Sequence, residues 1–310
     1  MRRASTILLA LALLASGTPA VADAQRVHVV VVSGLSGEPR FRARFEQVAG
    51  MLADTARVRW GVADSSLILL GEDSAAAPRR MRRATRDEIA QSFVRLSRRV
   101  SPGDVVLVFV NGHGSGEGAG SRVSLPGPDA TAADFAGWLA GFSRQTVVFV
   151  NAASGSGDFV GALAKPGRVV VAATRTAIER NETSFAAPFV RALTGSEADA
   201  DKDGRVSVLE AFIFAKKEVE RAYESDNRML TEHAVLSDSA LARTVAFGGA
   251  RPSDDPRVAT LVAERQALES QVAALRARKD SMDAAAYERE LERLLLQIAA
   301  KTRAIRGGTP

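Results

Sequence analysis

The chain has 310 residues, 46% of them hydrophobic and 25% charged, which is ordinary globular composition for one large domain or two modest ones. It contains no cysteine, which excludes disulfides and a catalytic thiol and leaves nothing to carry an N-terminal lipid. The net charge of +5 is mild. The densest basic run (Arg79, Arg80, Arg82, Arg83, Arg86) has no interleaved aromatic residues, so it reads as a solvated loop and nucleic-acid binding is not expected.

The N-terminus has a positive start at Arg2 and Arg3, an apolar run over 6–15 and a small-residue site at Ala22, Asp23 and Ala24, the three-part pattern of an export signal. Its removal would leave Gln25 first, with residues 1–24 as the signal. The flanks of Arg2 and Arg3 lack the residues of a twin-arginine signal, so the ordinary secretory route is expected. No later segment approaches the roughly 20 apolar residues of a membrane span. The mature chain is therefore predicted to be exported, without a transmembrane anchor, to the periplasm or the medium.

β-branched runs then alternate with amphipathic stretches over 25–250, the pattern of a parallel sheet covered by helices. Strands are predicted over 27–32, 67–70, 104–110, 146–150 and 168–173. Several are apolar without alternation, as expected when both faces are covered. Thr85 with Glu88 predicts a capping box ahead of Ile89, Phe93 and Leu96, and Thr131 with Asp134 resembles one ahead of Phe135, Trp138 and Leu139. Helical spacing returns over 185–193, where Pro188 is tolerable near the first turn. The predicted class is α/β, a doubly wound and mainly parallel sheet.

Chemistry in such sheets gathers beyond the carboxyl ends of the strands. Two ends stand out: Asn111-Gly112-His113-Gly114, and Asn151-Ala152-Ala153-Ser154-Gly155-Ser156-Gly157. Here the sequence resembles the caspase-like cysteine peptidases, particularly the legumain (C13-type) branch, over about 26–223. In that family a strand ending in a His-Gly turn supplies the catalytic histidine. The next strand ends in an acidic residue, Ala, Cys and a Ser-Gly pair. The resemblance sets His113 at the catalytic histidine, Asn151 and Ala152 at the acidic-Ala pair, and Ala153 at the nucleophilic cysteine.

A methyl group neither ionises nor attacks a carbonyl, so the resemblance implies a pseudopeptidase that keeps a cleft for peptide or protein and has lost proteolysis. Gly112, Gly114, Asn151, Ser154 and Ser156 are the cleft candidates, with the glycine-rich backbone as an anion or carbonyl cradle. An alternative is hydrolysis by Ser154 or Ser156 with His113 as base, although no acidic residue near 112–114 is placed to orient that base. His113 can equally serve as a histidine that only hydrogen-bonds its loop, and His28, inside an apolar strand, reads as a core histidine. The run 179–183 would border the same cleft or cap a helix.

From Asp199 the chain reads D-A-D-K-D-G-R-V-S-V-L-E. Asp199, Asp201 and Asp203 stand at positions one, three and five of an EF-hand-type loop, Gly204 at the sharp turn, Arg205 at the backbone-carbonyl position, Ser207 at nine and Glu210 at twelve. Ca2+ is the expected ion, with a helix from 208 to 223 following the loop. Sensor EF-hands usually come in pairs, and one loop alone points to a structural role. Thr231, Glu232, His233 and Asp238 follow as polar residues without metal-ligand spacing.

A linker is predicted over 251–256, and beyond it the composition turns to Ala, Arg, Glu and Leu. Leu261, Leu268, Leu275 and Met282 recur every seven residues with Val258 and Val272 between them, and Tyr287, Leu291, Leu294 and Ile298 resume the pattern after a break at 279–283. Arg265 and Lys279 fall on core positions, which disfavours a long dry coiled coil. A helical hairpin over 257–306 is expected, with self-association possible through its seam. It supports a third reading, a scaffold that works through this hairpin.

Overall fold

The computed structural model describes residues 25–72, 81–248, 255–279 and 282–307. The expected signal, Arg79, Arg80 and most of the expected linker lie outside the described residues. No described helix is long and apolar enough to cross a membrane.

The chain runs β1 (Val27–Ser33), α1 (Pro39–Val58), β2 (Leu67–Gly71), β3 (Arg82–Arg83), α2 (Arg86–Ser97) and β4 (Val105–Asn111). A small sheet follows from β5 (Gly114–Ser115), β6 (Arg122–Val123) and β7 (Ala130–Thr131). Next come α3 (Ala132–Trp138), β8 (Thr146–Asn151), α4 (Asp158–Leu163), β9 (Arg168–Ala172), α5 (Ala186–Thr194), α6 (Val208–Ser225), β10 (Val235–Leu236) and α7 (Ser239–Thr244). Helices α8 (Pro256–Ala277) and α9 (Ala284–Gly307) end the described chain.

The central sheet has the order β10-β9-β8-β4-β1-β2-β3, with every pairing parallel except β10 on β9. Side-chain alternation explains why its strands read as unbroken apolar runs. Val29 and Val31, Leu107 and Phe109, and Val148 and Val150 join one core with residues of α1, α5 and α6. Val30 and Val32, Val106 and Val108, and Val147 and Phe149 join a second core with residues of α2, α3 and α4. With helices on both faces, neither set of positions can be polar.

Several local expectations are adjusted. Asp104 precedes β4 instead of opening it, and its carboxylate lies 3.0 Å from His28 Nε2 with both side chains buried. His28 is therefore a core histidine with a charged partner, while its Nδ1 has no hydrogen-bond partner among the described residues. Thr85 caps α2 by accepting from Glu88 N at 3.2 Å, but the reciprocal half of the box is missing. The Glu88 carboxylate instead meets Arg82 and Arg95, each at 2.6 Å. The basic run is not all loop: Arg82 and Arg83 form the edge strand β3, and Arg86 opens α2. Thr131 and Asp134 do form a complete capping box. Pro256, expected in the linker, is the first residue of α8.

Helices α8 and α9 pack on one another, with Val272, Leu275 and Leu294 buried between them and Leu268, Leu291 and Ile298 alongside. Glu264 on α8 and Lys301 on α9 form an ion pair across the contact.

Candidate functional site

β4 and β8 are neighbours in register, with Val110 opposite Asn151, so the turns that follow them lie side by side. His113 and Ala153 each sit two residues past those strand ends. Gly114 marks how closely the turns meet, because a Cβ there would lie 2.4 Å from Ser154 O, 3.0 Å from Arg122 O and 3.6 Å from Ala153 Cβ. Gly112 likewise lets its turn approach the backbone of Gly34, 3.2 Å from where its own Cβ would stand.

The polar groups of these turns are largely engaged with one another. Asn151 Oδ1 accepts from Ala153 N at 3.0 Å, while Asn151 Nδ2 is buried without a partner among the described residues. Ser154 Oγ accepts from Gly114 N at 3.2 Å and donates to Gly114 O at 3.3 Å. Ser156 Oγ lies 3.2 Å from Thr174 Oγ1 and accepts from Thr174 N at 3.3 Å. Both hydroxyls are buried, and Ala153 is fully enclosed, at 0% exposure. The methyl group therefore forms the floor of the turn.

His113 is half-buried and faces α1, where its ring meets Phe41 edge-on at 4.8 Å and Phe45 at 5.4 Å. Its Nε2 lies 3.2 Å from Ser36 O. A carbonyl only accepts, so Nε2 carries the proton, and in the neutral ring Nδ1 is the basic nitrogen. Ser36 is held in turn by Glu72, which accepts from its amide at 3.1 Å and from its hydroxyl. Arg42 reaches Glu72 at 3.0 Å. Burial raises the Glu72 carboxyl, but the Ser36 hydrogen bonds and the Arg42 charge outweigh it and hold the group below the ordinary range. His113 is thus oriented by a backbone carbonyl whose own residue is fixed by a carboxylate. A hollow at the ends of β1 and β2, lined by Gly34, Ser36, Arg42, Phe45 and Glu72, adjoins it.

The run 179–183 borders this region, as Thr183 Oγ1 donates to Ala152 O at 2.5 Å and Gly155 N donates to Glu179 O at 2.9 Å. Glu179 also accepts from His233 N at 2.9 Å, and Arg44 donates to Thr183 O at 2.7 Å. The start of α5 is served by Glu232, which accepts from Ser184 N at 2.8 Å and Phe185 N at 2.9 Å. Glu232 is only 4% exposed, and burial pushes its carboxyl up to about 7 against the opposing pull of those amides.

The second constellation is the loop between α5 and α6, which pack on one another. Asp199, Asp201 and Asp203 each bring one carboxylate oxygen within 4.8 Å of the others, an arrangement that could hold a metal ion. Asp199 accepts from Asp203 N at 3.1 Å and Gly204 N at 2.9 Å, with Lys202 and Gly204 at φ of 57° and 80° to make the turn. Ser207 and Glu210 form a capping box that starts α6, and Glu210 Oε1 also accepts from Ala200 N at 3.0 Å. A Ser207–Ala246 bridge ties the loop to the segment after α7. Burial, then the charges of Glu210 and Asp201, push the Asp199 carboxyl up to about 6 despite the Gly204 amide. The cluster is crowded with its own negative charge.

No protein-family model and no curated protein matches the chain. Among solved structures it is similar to the crystal structure of protein GSU0716 from Geobacter sulfurreducens, at 11% identity and a TM-score of 0.44, over 75% of this chain and 96% of that one. A likeness so distant says nothing about the site.

Three side chains have contacts that the sequence reading does not assign to them. Glu72 follows the end of β2, a position the strand-end rule marks, but its link to His113 runs through Ser36 and exists only in three dimensions. Glu232 has no motif around it. Arg265, from α8, is 5% exposed and enters the acidic loop, with one guanidinium nitrogen 2.9 Å from Asp201 Oδ2 and another against Asp203. Its signal was a charge at a core position of the heptad, which calls for a counter-charge.

Proposed function

We propose that the protein is an exported, calcium-binding pseudopeptidase of caspase- and legumain-like type that holds a peptide or protein without cleaving it. The observation that carries this reading is the adjacency of the His113 and Ala153 turns past β4 and β8, with a methyl group where a cysteine peptidase needs a thiolate. The N-terminal pattern of charge, apolar run and small residues supports export. Ser154 and Ser156 are a weaker source of hydrolysis, because their hydroxyls are engaged by Gly114 and Thr174 while His113 is engaged by Ser36.

Calcium is favoured by an all-oxygen donor set. Asp199, Asp201, Asp203 and Glu210 would supply carboxylates, Ser207 its hydroxyl or a water, and Arg205 its carbonyl. A bound divalent ion would offset two of the four carboxylate charges of Asp199, Asp201, Asp203 and Glu210. The chain's own contribution is to hold the three aspartates together by loop amides and to begin α6 at the capping box.

The scaffold reading keeps one specific support. α9 leaves Leu295 and Leu296 exposed, an apolar surface suited to self-association of the C-terminal hairpin.

The deciding assay incubates the mature protein with peptide substrates and a thiol-directed probe. Neither turnover nor labelling is expected in the wild type, and Ala153→Cys is the gain-of-function arm. Turnover by the wild type that Ser154→Ala abolishes would replace the pseudopeptidase reading with the serine one.

A further inference from the structure

Asp201 and Asp203 each commit one carboxylate oxygen to the loop's own backbone. Asp201 Oδ1 accepts from Asp203 N at 3.3 Å, and Asp203 Oδ1 accepts from Arg205 N at 2.7 Å. The other oxygen of each meets Arg265, whose fork-shaped guanidinium bridges the two carboxylates from a helix 64 residues further along the chain. Arg265 Nε lies 3.3 Å from Glu269 Oε1 but is not aligned to hydrogen-bond with it, and the same Glu269 lies 3.7 Å from Arg205 of the loop. The loop already holds a cation, one tethered to α8.

We propose that Arg265 and a divalent cation compete for the loop, so that calcium entry releases α8, and α9 with it, from the α/β domain, while docked α8 holds calcium off. The inference rests on the calcium reading above and adds its regulation. A metal ion inside the loop draws on the same carboxylates of Asp201 and Asp203 that the guanidinium engages. A buried arginine deprived of both carboxylates cannot stay where it is, because an uncompensated charge in the interior is strongly unfavourable. Glu269, one helical turn on, gives the released guanidinium a partner on its own helix. The exchange is also favoured by charge: Asp199, Asp201, Asp203 and Glu210 carry four carboxylates, of which a guanidinium offsets one and a divalent ion two.

The test uses the full chain and calcium alone. Calorimetric titration of chelator-treated wild type and Arg265→Met measures the competition. The variant is expected to bind about tenfold or more tightly, because the fraction of molecules with a competent loop no longer depends on undocking. The absence of native cysteine allows spin labels at Lys216→Cys on α6 and Arg276→Cys on α8, both exposed. Calcium is expected to lengthen the distance between them, and a chelator to restore it. Equal dissociation constants, or an unchanged distance at saturating calcium, overturn the competition and leave the calcium reading standing. Calcium binding to neither chain overturns both. If circular dichroism shows that Arg265→Met does not fold, the distance measured with Arg265 in place decides alone.

Discussion

The turns after β4 and β8 and the loop between α5 and α6 both lie at the ends of regular elements, yet their polar groups are satisfied in different ways. At the strand ends the partners are near at hand and mostly neutral: Asn151 with the Ala153 amide, Ser154 with Gly114, Ser156 with Thr174. In the acidic loop the amides satisfy half of each carboxylate of Asp201 and Asp203, and a charge from a remote helix meets the other half. A site closed by neutral hydrogen bonds is rigid and insensitive to ions. A site closed by a borrowed cation is open to exchange with any cation that binds better. On the function proposed above, recognition belongs to the first region and regulation to the second.

The largest expected effect comes from a buried carboxylate at the start of α5, beside the first region. Glu232 has a folded-state value of about 7 against an ordinary 4.5, so the stability it contributes is full below 4.5 and is lost as the pH rises through 7. Between pH 5 and 8 the wild type is expected to lose about 2 to 3 kcal/mol relative to Glu232→Gln. Urea denaturation of both proteins at both pH values measures it, and any constant offset from the amide cancels in the comparison. Parallel pH dependence would mean that Glu232 is solvated.

Somewhat smaller is the cost of forcing the two turns apart. Gly114→Ala places a methyl group 2.4 Å from Ser154 O, a contact with backbone that no rotamer relieves, and is expected to cost about 2 kcal/mol in urea. An unchanged midpoint would show that the turns are not held against one another, and the contrast between a rigid and an exchangeable site would fail.

The third effect belongs to the acidic loop. At ten times its dissociation constant, calcium is expected to stabilise the fold by about 1.4 kcal/mol, seen as a rise in melting temperature that a chelator reverses and that Asp199→Ala with Glu210→Ala removes. The same calcium is expected to leave the ring environment of His113 unchanged by NMR, since its partners Ser36, Phe41 and Phe45 belong to the other region. The smallest effect is an expected zero: Ser154→Ala leaves peptide turnover at the blank level of the wild type.

Much of this architecture could be read along the chain. Unalternating runs such as the one predicted as a strand over 104–110 announced strands covered on both faces, because a parallel strand between two helical layers has no solvent side. The box at Thr131 was legible because capping is a contact between residues three apart, whereas the one at Ser207 was hidden within the acidic loop pattern. The closeness of Asp199, Asp201 and Asp203 was legible for the same reason: residues two apart in a tight loop bring their carboxylates together. Likewise His113 and Ala153 could be placed at strand ends, though not as neighbours, since adjacency depends on β4 pairing with β8.

What remained to tertiary structure is every contact between residues far apart in sequence. Glu72 fixes Ser36 beneath His113 because β1 and β2 pair in parallel and bring their carboxyl ends together. Ala153 is sealed because the turn at Gly114 lies against it. Arg265 stood out in the sequence as a charge on an apolar seam, which argued against a long dry coiled coil without naming what it meets. Periodicity and capping report on hydrogen bonds and faces within a few residues of the chain. The partner of a buried charge depends on how whole elements stack, and only the packing of α8 against the acidic loop could name Asp201 and Asp203.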